Sequence, residues 1–203
     1  MVASEDMRGT TWIDESAALA GTPLGARLRA FAWGAAATLL ALPWLAMQLG
    51  AQVQWDAADF LVFGAMLLAV CVAVELLLRQ PADRWYLGAF GLAVACAFVL
   101  LWANLAVGLI GESGHPANAA YGLVSCVGAV GALLSRLRPQ GMAWTLLATA
   151  IAHAIVVATA LIGWRLDADA VLGPNVRFIA LWLACAAGFR RGALGAARRQ
   201  RSA

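Results

Sequence analysis

The stretch YLGAFGLAVACAFVLLWANLAVGLIG, residues 86–111, contains no charged side chain, and Asn104 is its one strongly polar residue. An α-helix needs roughly 20 apolar residues to cross about 30 Å of hydrocarbon, so this run predicts a transmembrane span. Five further blocks of the same kind lie at about 28–50, 58–78, 119–135, 142–164 and 174–189. None alternates apolar and polar residues as a membrane barrel strand does, and Ala, Leu and Gly outnumber β-branched residues. The expected fold is all-α, a polytopic membrane bundle of six transmembrane helices.

Composition leads to the same place. Of the 203 residues, 63% are hydrophobic and 12% charged, and the mean hydropathy is +0.80, too apolar for a soluble domain of this size. The distribution of charge says more than the net value of +3. There is no lysine, so all 14 cationic side chains are arginines. Arg8, Arg27 and Arg29 precede the first block, Arg79 and Arg84 lie between the second and third, and Arg136 and Arg138 between the fourth and fifth. Arg190, Arg191, Arg198, Arg199 and Arg201 follow the sixth, which leaves only Arg165 and Arg177 for the opposite side. By the positive-inside rule both termini are expected in the cytoplasm, and the loops near 51–57, 112–118 and 165–173 face outward.

Three regions follow: a flexible cytoplasmic arm over 1–27, with a short interfacial helix around Trp12 to Leu19; a six-helix transmembrane domain over 28–190; and a basic cytoplasmic tail over 191–203. The expected localisation is a bacterial inner membrane, multi-pass. The expected partners are the lipid bilayer and, at the arginine-rich tail, anionic lipid. Nucleic acid is not expected, because no basic stripe is interleaved with aromatics. Without lysine there is no Schiff-base chemistry. Cys71, Cys96, Cys126 and Cys185 all fall inside spans, where they read as packing residues rather than a disulfide framework.

Helices in lipid associate through close packing of small residues. Ala89, Ala93 and Ala97, then Gly122, Gly128, Gly131 and Ala132, then Ala150, Ala154 and Ala158 supply them. Pro43 is expected to kink the first helix.

Few residues carry chemistry. Asn104, Gly108 and Gly111 fall at i, i+4 and i+7, one face of a helix that would run on to Glu112. With His115 and Asn118 in the following loop, Asn104 and Glu112 outline a candidate polar pocket on the outer side. An interhelical hydrogen bond and a helix-capping turn led by Pro116 are the simpler readings of the same residues. Asp56, Asp59, Asp167 and Asp169 stand at outer helix ends as further carboxylates, but no complete metal site is legible and no cofactor is implied. His153, with Thr145 and Thr149 one and two turns earlier on its face, is a candidate intramembrane relay. Bis-histidine haem is excluded because no second intramembrane histidine exists. Glu75 and Arg79, one turn apart, are expected to pair.

Two resemblances attach to these residues. Gly111, Glu112, Ser113 and Gly114 spell GxSG between the third and fourth spans, which resembles a rhomboid protease and would make Ser113 nucleophile and His153 base. The rhomboid histidine lies on the last span in an AHxxG context and an HxxxN pair stands on the second span; neither is present. The run from Trp102 to Gly111, WxNLAVGxIG, followed by Pro116, Ala117, Asn118 and Tyr121, resembles a group of uncharacterised bacterial inner-membrane proteins. That resemblance implies six helices and carries no catalytic residue. The expected function is a non-enzymatic accessory or regulatory membrane protein, with a small proton, ion or solute transporter as the alternative and an intramembrane enzyme third.

Overall fold

The computed structural model of the chain describes residues 19–50, 54–80, 83–110, 115–163 and 165–202. Six helices are long and apolar enough to cross a membrane. They are α1 (Pro23–Gln48), α2 (Ala57–Leu78), α3 (Arg84–Ala106), α4 (Ala120–Leu134, entered through a 3-10 turn at Pro116–Ala119), α5 (Pro139–Gly163) and α6 (Ala168–Ser202). No strand occurs among the described residues. The all-α expectation therefore holds, and the chain reads as a multi-pass membrane protein.

The helices fall into two units, residues 1–82 and 83–203. In the first, α1 and α2 form a hairpin. Thr22 caps α1 by accepting from the Gly25 amide at 3.1 Å. Asp56 and Asp59 form a reciprocal capping box at the start of α2, with bonds of 2.9 and 3.0 Å. Across the hairpin the Arg29 guanidinium grips Glu75 with two bonds, 2.6 and 3.0 Å. This corrects the expected Glu75–Arg79 pair. Arg79 is the C-cap of α2, past its last helical turn, whereas Glu75 faces α1.

The second unit holds α3 to α6. Here α6 packs between α3 and α5, and α5 packs in turn against α4. Close approach is set by a few glycines. A Cβ at Gly131 would stand 2.5 Å from Thr145 Cγ2, and one at Gly128 would stand 3.5 Å from Thr149 Oγ1, so α4 and α5 touch along that pair. At Gly188 a Cβ would stand 2.8 Å from Ala89 Cβ, which fixes the α3–α6 contact. Not every small residue works this way: Gly122, Ala154 and Ala158 are exposed. The Tyr86 hydroxyl donates to the Leu137 carbonyl at 2.7 Å, tying the start of α3 to the turn between α4 and α5, where Arg136 and Leu137 both take positive φ.

Three helices differ at their ends from the sequence expectation. First, α1 starts at Pro23, inside the expected arm; its remainder through residue 18, with most of the interfacial helix expected near Trp12, lies outside the described residues. Second, α6 starts at Ala168 and runs on to Ser202, so the expected tail over 191–203 continues a helix and Pro174 lies within it. Third, α3 stops at Ala106, because Gly108 takes φ +76° in the left-handed position that glycine occupies after a helix C-cap.

The glycine contacts give a paired prediction. Gly131→Ala should destabilise the protein by about 1–3 kcal/mol through overpacking against Thr145. Gly122→Ala, which adds a methyl group in open space, should be neutral or stabilising by up to about 1 kcal/mol. Reversible denaturant titration of the full chain in mixed micelles, followed by circular dichroism, reads both.

Candidate functional site

With α3 ended at Ala106, residues 107–110 leave the helix and turn inward. Leu109 and Ile110 are buried, and their amide N–H groups have no helical carbonyl to bond. Asn118 supplies the acceptor: its Oδ1 takes both hydrogens, from Leu109 N at 3.1 Å and Ile110 N at 3.0 Å. Asn104 Nδ2 donates to the Asn118 carbonyl at 3.1 Å. The two asparagines expected in an outer pocket are therefore brought together as a clamp across the connection between α3 and α4. The expected helical strip from Asn104 is interrupted, because Gly108 ends the helix, and its third member, Gly111, lies outside the described residues. Asn104 Oδ1 is buried without a partner among the described residues.

The other expected positions separate from this clamp. His115 sits at the N-cap of the 3-10 turn, where its Nδ1 accepts from the Ala117 amide at 3.2 Å, and Pro116 occupies the first position of the turn. It acts as a cap, as the simpler sequence reading has it. Glu112 and Ser113 lie outside the described residues. Of the carboxylates expected on the outer side, Asp56 and Asp59 cap α2 and Asp167 accepts from the Asp169 amide at 3.3 Å. Among the described residues no three His, Cys, Asp or Glu side chains gather as metal ligands, and all four cysteines are free thiols.

His153 is the centre of a second, deeper set of bonds. It is fully buried, with Thr145 and Thr149 buried on the same face of α5 as the spacing predicts. The Trp182 indole N–H donates to His153 Nδ1 at 3.3 Å. Because an indole nitrogen only donates, Nδ1 must carry the lone pair and Nε2 the proton. That proton points at Asn175 Oδ1, 2.8 Å away. Tyr121 OH donates to the same oxygen at 2.5 Å. The amide nitrogen of Asn175 donates to the Val171 carbonyl at 2.7 Å and to the Leu109 carbonyl at 3.4 Å. Tyr121 and Phe178 bracket the imidazole, at ring-centroid distances of 5.4 and 6.1 Å.

Through Leu109 the two sets join. Asn118 holds its N–H and Asn175 its carbonyl, so Asn104, Asn118, Asn175, His153, Tyr121 and Trp182 form one continuous network linking α3, α4, α5 and α6. His153, Asn175 and Tyr121 are each 0% exposed and Asn118 is 5% exposed. The part around His153 is enclosed, whereas Asn104 at the other end of the network is half-buried.

Asn175 is the residue that sequence reasoning missed. Placing the start of the last span at Pro174 put its neighbour at a helix end. The signal was present in the spacing. Asn175, Phe178, Trp182, Cys185, Phe189 and Gly192 recur at alternating steps of three and four residues, the seam of a helix that packs on partners along its whole length. An amide on that seam must face inward.

No protein family, curated protein or solved structure matches this chain.

Removing the Asn118 acceptor leaves two buried N–H groups unpaired, at about 1–3 kcal/mol each. Asn118→Ala should therefore cost about 2–5 kcal/mol, against about 1 kcal/mol for His115→Ala, which loses one cap. Denaturant midpoints in micelles compare them. Equal losses would show that Asn118 does no more than cap.

Proposed function

We propose that the chain is a non-catalytic, non-conducting accessory protein of the bacterial inner membrane, with both termini in the cytoplasm. One observation carries this reading: the intramembrane polar groups around His153 are bonded to one another and sealed from water. A relay needs a group that can take a proton from one side and release it to the other. Here His153 Nδ1 is engaged by a donor and Nε2 already holds its proton against Asn175. The same occupancy speaks against His153 as base for a serine nucleophile, since its one ring lone pair, on Nδ1, already accepts from Trp182.

Topology rests on the arginines. Arg27 and Arg29 lie in the first turns of α1, Arg79 and Arg84 flank the α2–α3 connection, Arg136 and Arg138 the α4–α5 turn, and Arg190, Arg191 and Arg198 the end of α6. An even number of helices returns the chain to the side on which it began.

A small transporter is the second reading, and Pro174 favours it. Proline lacks the N–H that would bond the Ala170 carbonyl, so the α6 ladder is weakened one residue before Asn175, a place where the network could part.

Flux through the full chain in proteoliposomes separates the two. With a trapped pH dye and an imposed potassium diffusion potential, proton entry should match that of protein-free vesicles, and His153→Gln should change nothing. Entry above that background, lost in His153→Gln, would reverse the assignment to transport.

A further inference from the structure

At the opposite end of the α3–α6 pair from Asn175 the surface is open and cationic. The helices run antiparallel, so the first turn of α3 lies beside the last turns of α6, as the approach of Gly192 to Asp83 records. An open cavity of about 640 Å3 lies between them, lined by Asp83, Arg84, Trp85, Arg191 and Arg198. The Trp85 indole lies within cation–π reach of two guanidinium groups, with Arg84 Cζ 5.8 Å and Arg191 Cζ 5.2 Å from its ring centroid. The single carboxylate is already committed. Asp83 caps α3 by accepting from the Tyr86 amide at 2.8 Å, and it lies against α6 where Gly192 and Gly195 leave room. Arg84, Arg191 and Arg198 outnumber Asp83 three to one, so the lining carries a net positive charge.

A second cavity of about 620 Å3 shares Arg84 and Trp85 and continues along both helices over Gly88, Leu92, Ala184 and Gly188. These residues bring no charge. Gly88 has no atom within 4 Å of where its Cβ would stand, and Leu92 is 40% exposed, so the slot is unfilled by the protein. It runs into the stretch of α3 that is apolar enough to cross a membrane. A cationic head beside an interfacial tryptophan, leading into an apolar slot at membrane depth, is complementary to an amphiphile with an anionic head. A free phosphate would leave the slot empty, and a soluble acidic peptide has no reason to enter it.

We propose that this end of the α3–α6 pair binds an anionic phospholipid, its phosphate held by Arg84 and Arg191 and one acyl chain lying in the slot over Gly88 and Leu92.

The test is native mass spectrometry of the purified full chain titrated in detergent with phosphatidylglycerol or phosphatidylcholine. Wild type should retain one phosphatidylglycerol in clear preference to phosphatidylcholine. Arg84→Gln and Arg191→Gln should each lower that preference about fivefold. Gly88→Leu, which fills the slot without touching the arginines, should weaken phosphatidylglycerol retention. Arg136→Gln with Arg138→Gln, in the α4–α5 turn, should leave it unchanged. Equal retention of the two lipids, or an equal loss in the Arg136 and Arg138 variant, would overturn the site. Undiminished retention in Gly88→Leu, with displacement by soluble glycerol phosphate, would reduce it to an anion pocket and overturn the lipid assignment.

Discussion

An amide N–H inside a membrane protein must find an acceptor within the protein, because hydrocarbon offers none and each unpaired group costs several kcal/mol. The second unit is organised around one place where the helical ladder cannot meet that demand. Gly108 turns out of the helix, and Leu109 and Ile110 are carried into the interior with their donors exposed. Asn118 answers both at once, which fixes the distance from the end of α3 to the start of α4. The Leu109 carbonyl then becomes a fixed acceptor for Asn175, so the register of α6 follows from a glycine two helices earlier in the chain.

The network also has a direction. Indole donates only, so His153 receives at Nδ1 and donates from Nε2; Asn175 therefore presents its oxygen to His153 and Tyr121 and its nitrogen to two carbonyls. Each amide and ring orientation is dictated by its neighbour, back to groups that cannot exchange roles. A chain of this kind specifies one packing arrangement of four helices. Passing a proton along it would require several groups to reverse while buried.

Much of this was legible in the sequence. The apolar blocks yield all six helices, since length and hydropathy alone decide what can span a bilayer. Asn104, Asn118 and His153 stand out as rare polar groups in oily surroundings, and they do belong to one network. Where they meet was not legible. Counting 3.6 residues per turn through Gly108 treats the helix as continuous, and only the left-handed backbone there shows that it is not. Glu75 illustrates a second limit. Arg79 is its neighbour in sequence and Arg29 its partner in space, because pairing across a hairpin depends on which face packs inward. Asn175 is hidden for the opposite reason: in the sequence Pro174 reads as a boundary, yet a proline can sit inside a membrane helix when nearby side chains and neighbouring helices satisfy the backbone it disturbs.

That proline makes α6 the element in which the two ends of the unit are coupled. At about 1.5 Å per residue, its 35 residues extend roughly 50 Å, well beyond the hydrocarbon thickness of about 30 Å. One end is bonded into the interior through Asn175 and Trp182, and the other carries Arg191 and Arg198 past the apolar zone. The seam between them, through Cys185 and Phe189 to Gly192, is buried throughout, so the helix has little freedom to rotate about its axis without breaking contacts along its length. Whatever seats the arginine end, against α3 at Ala89 and Asp83, therefore also sets how Asn175 meets His153. Pro174 lies beyond that seam, immediately before Asn175, so the one N–H that proline removes from the ladder falls outside the stretch that seats α6.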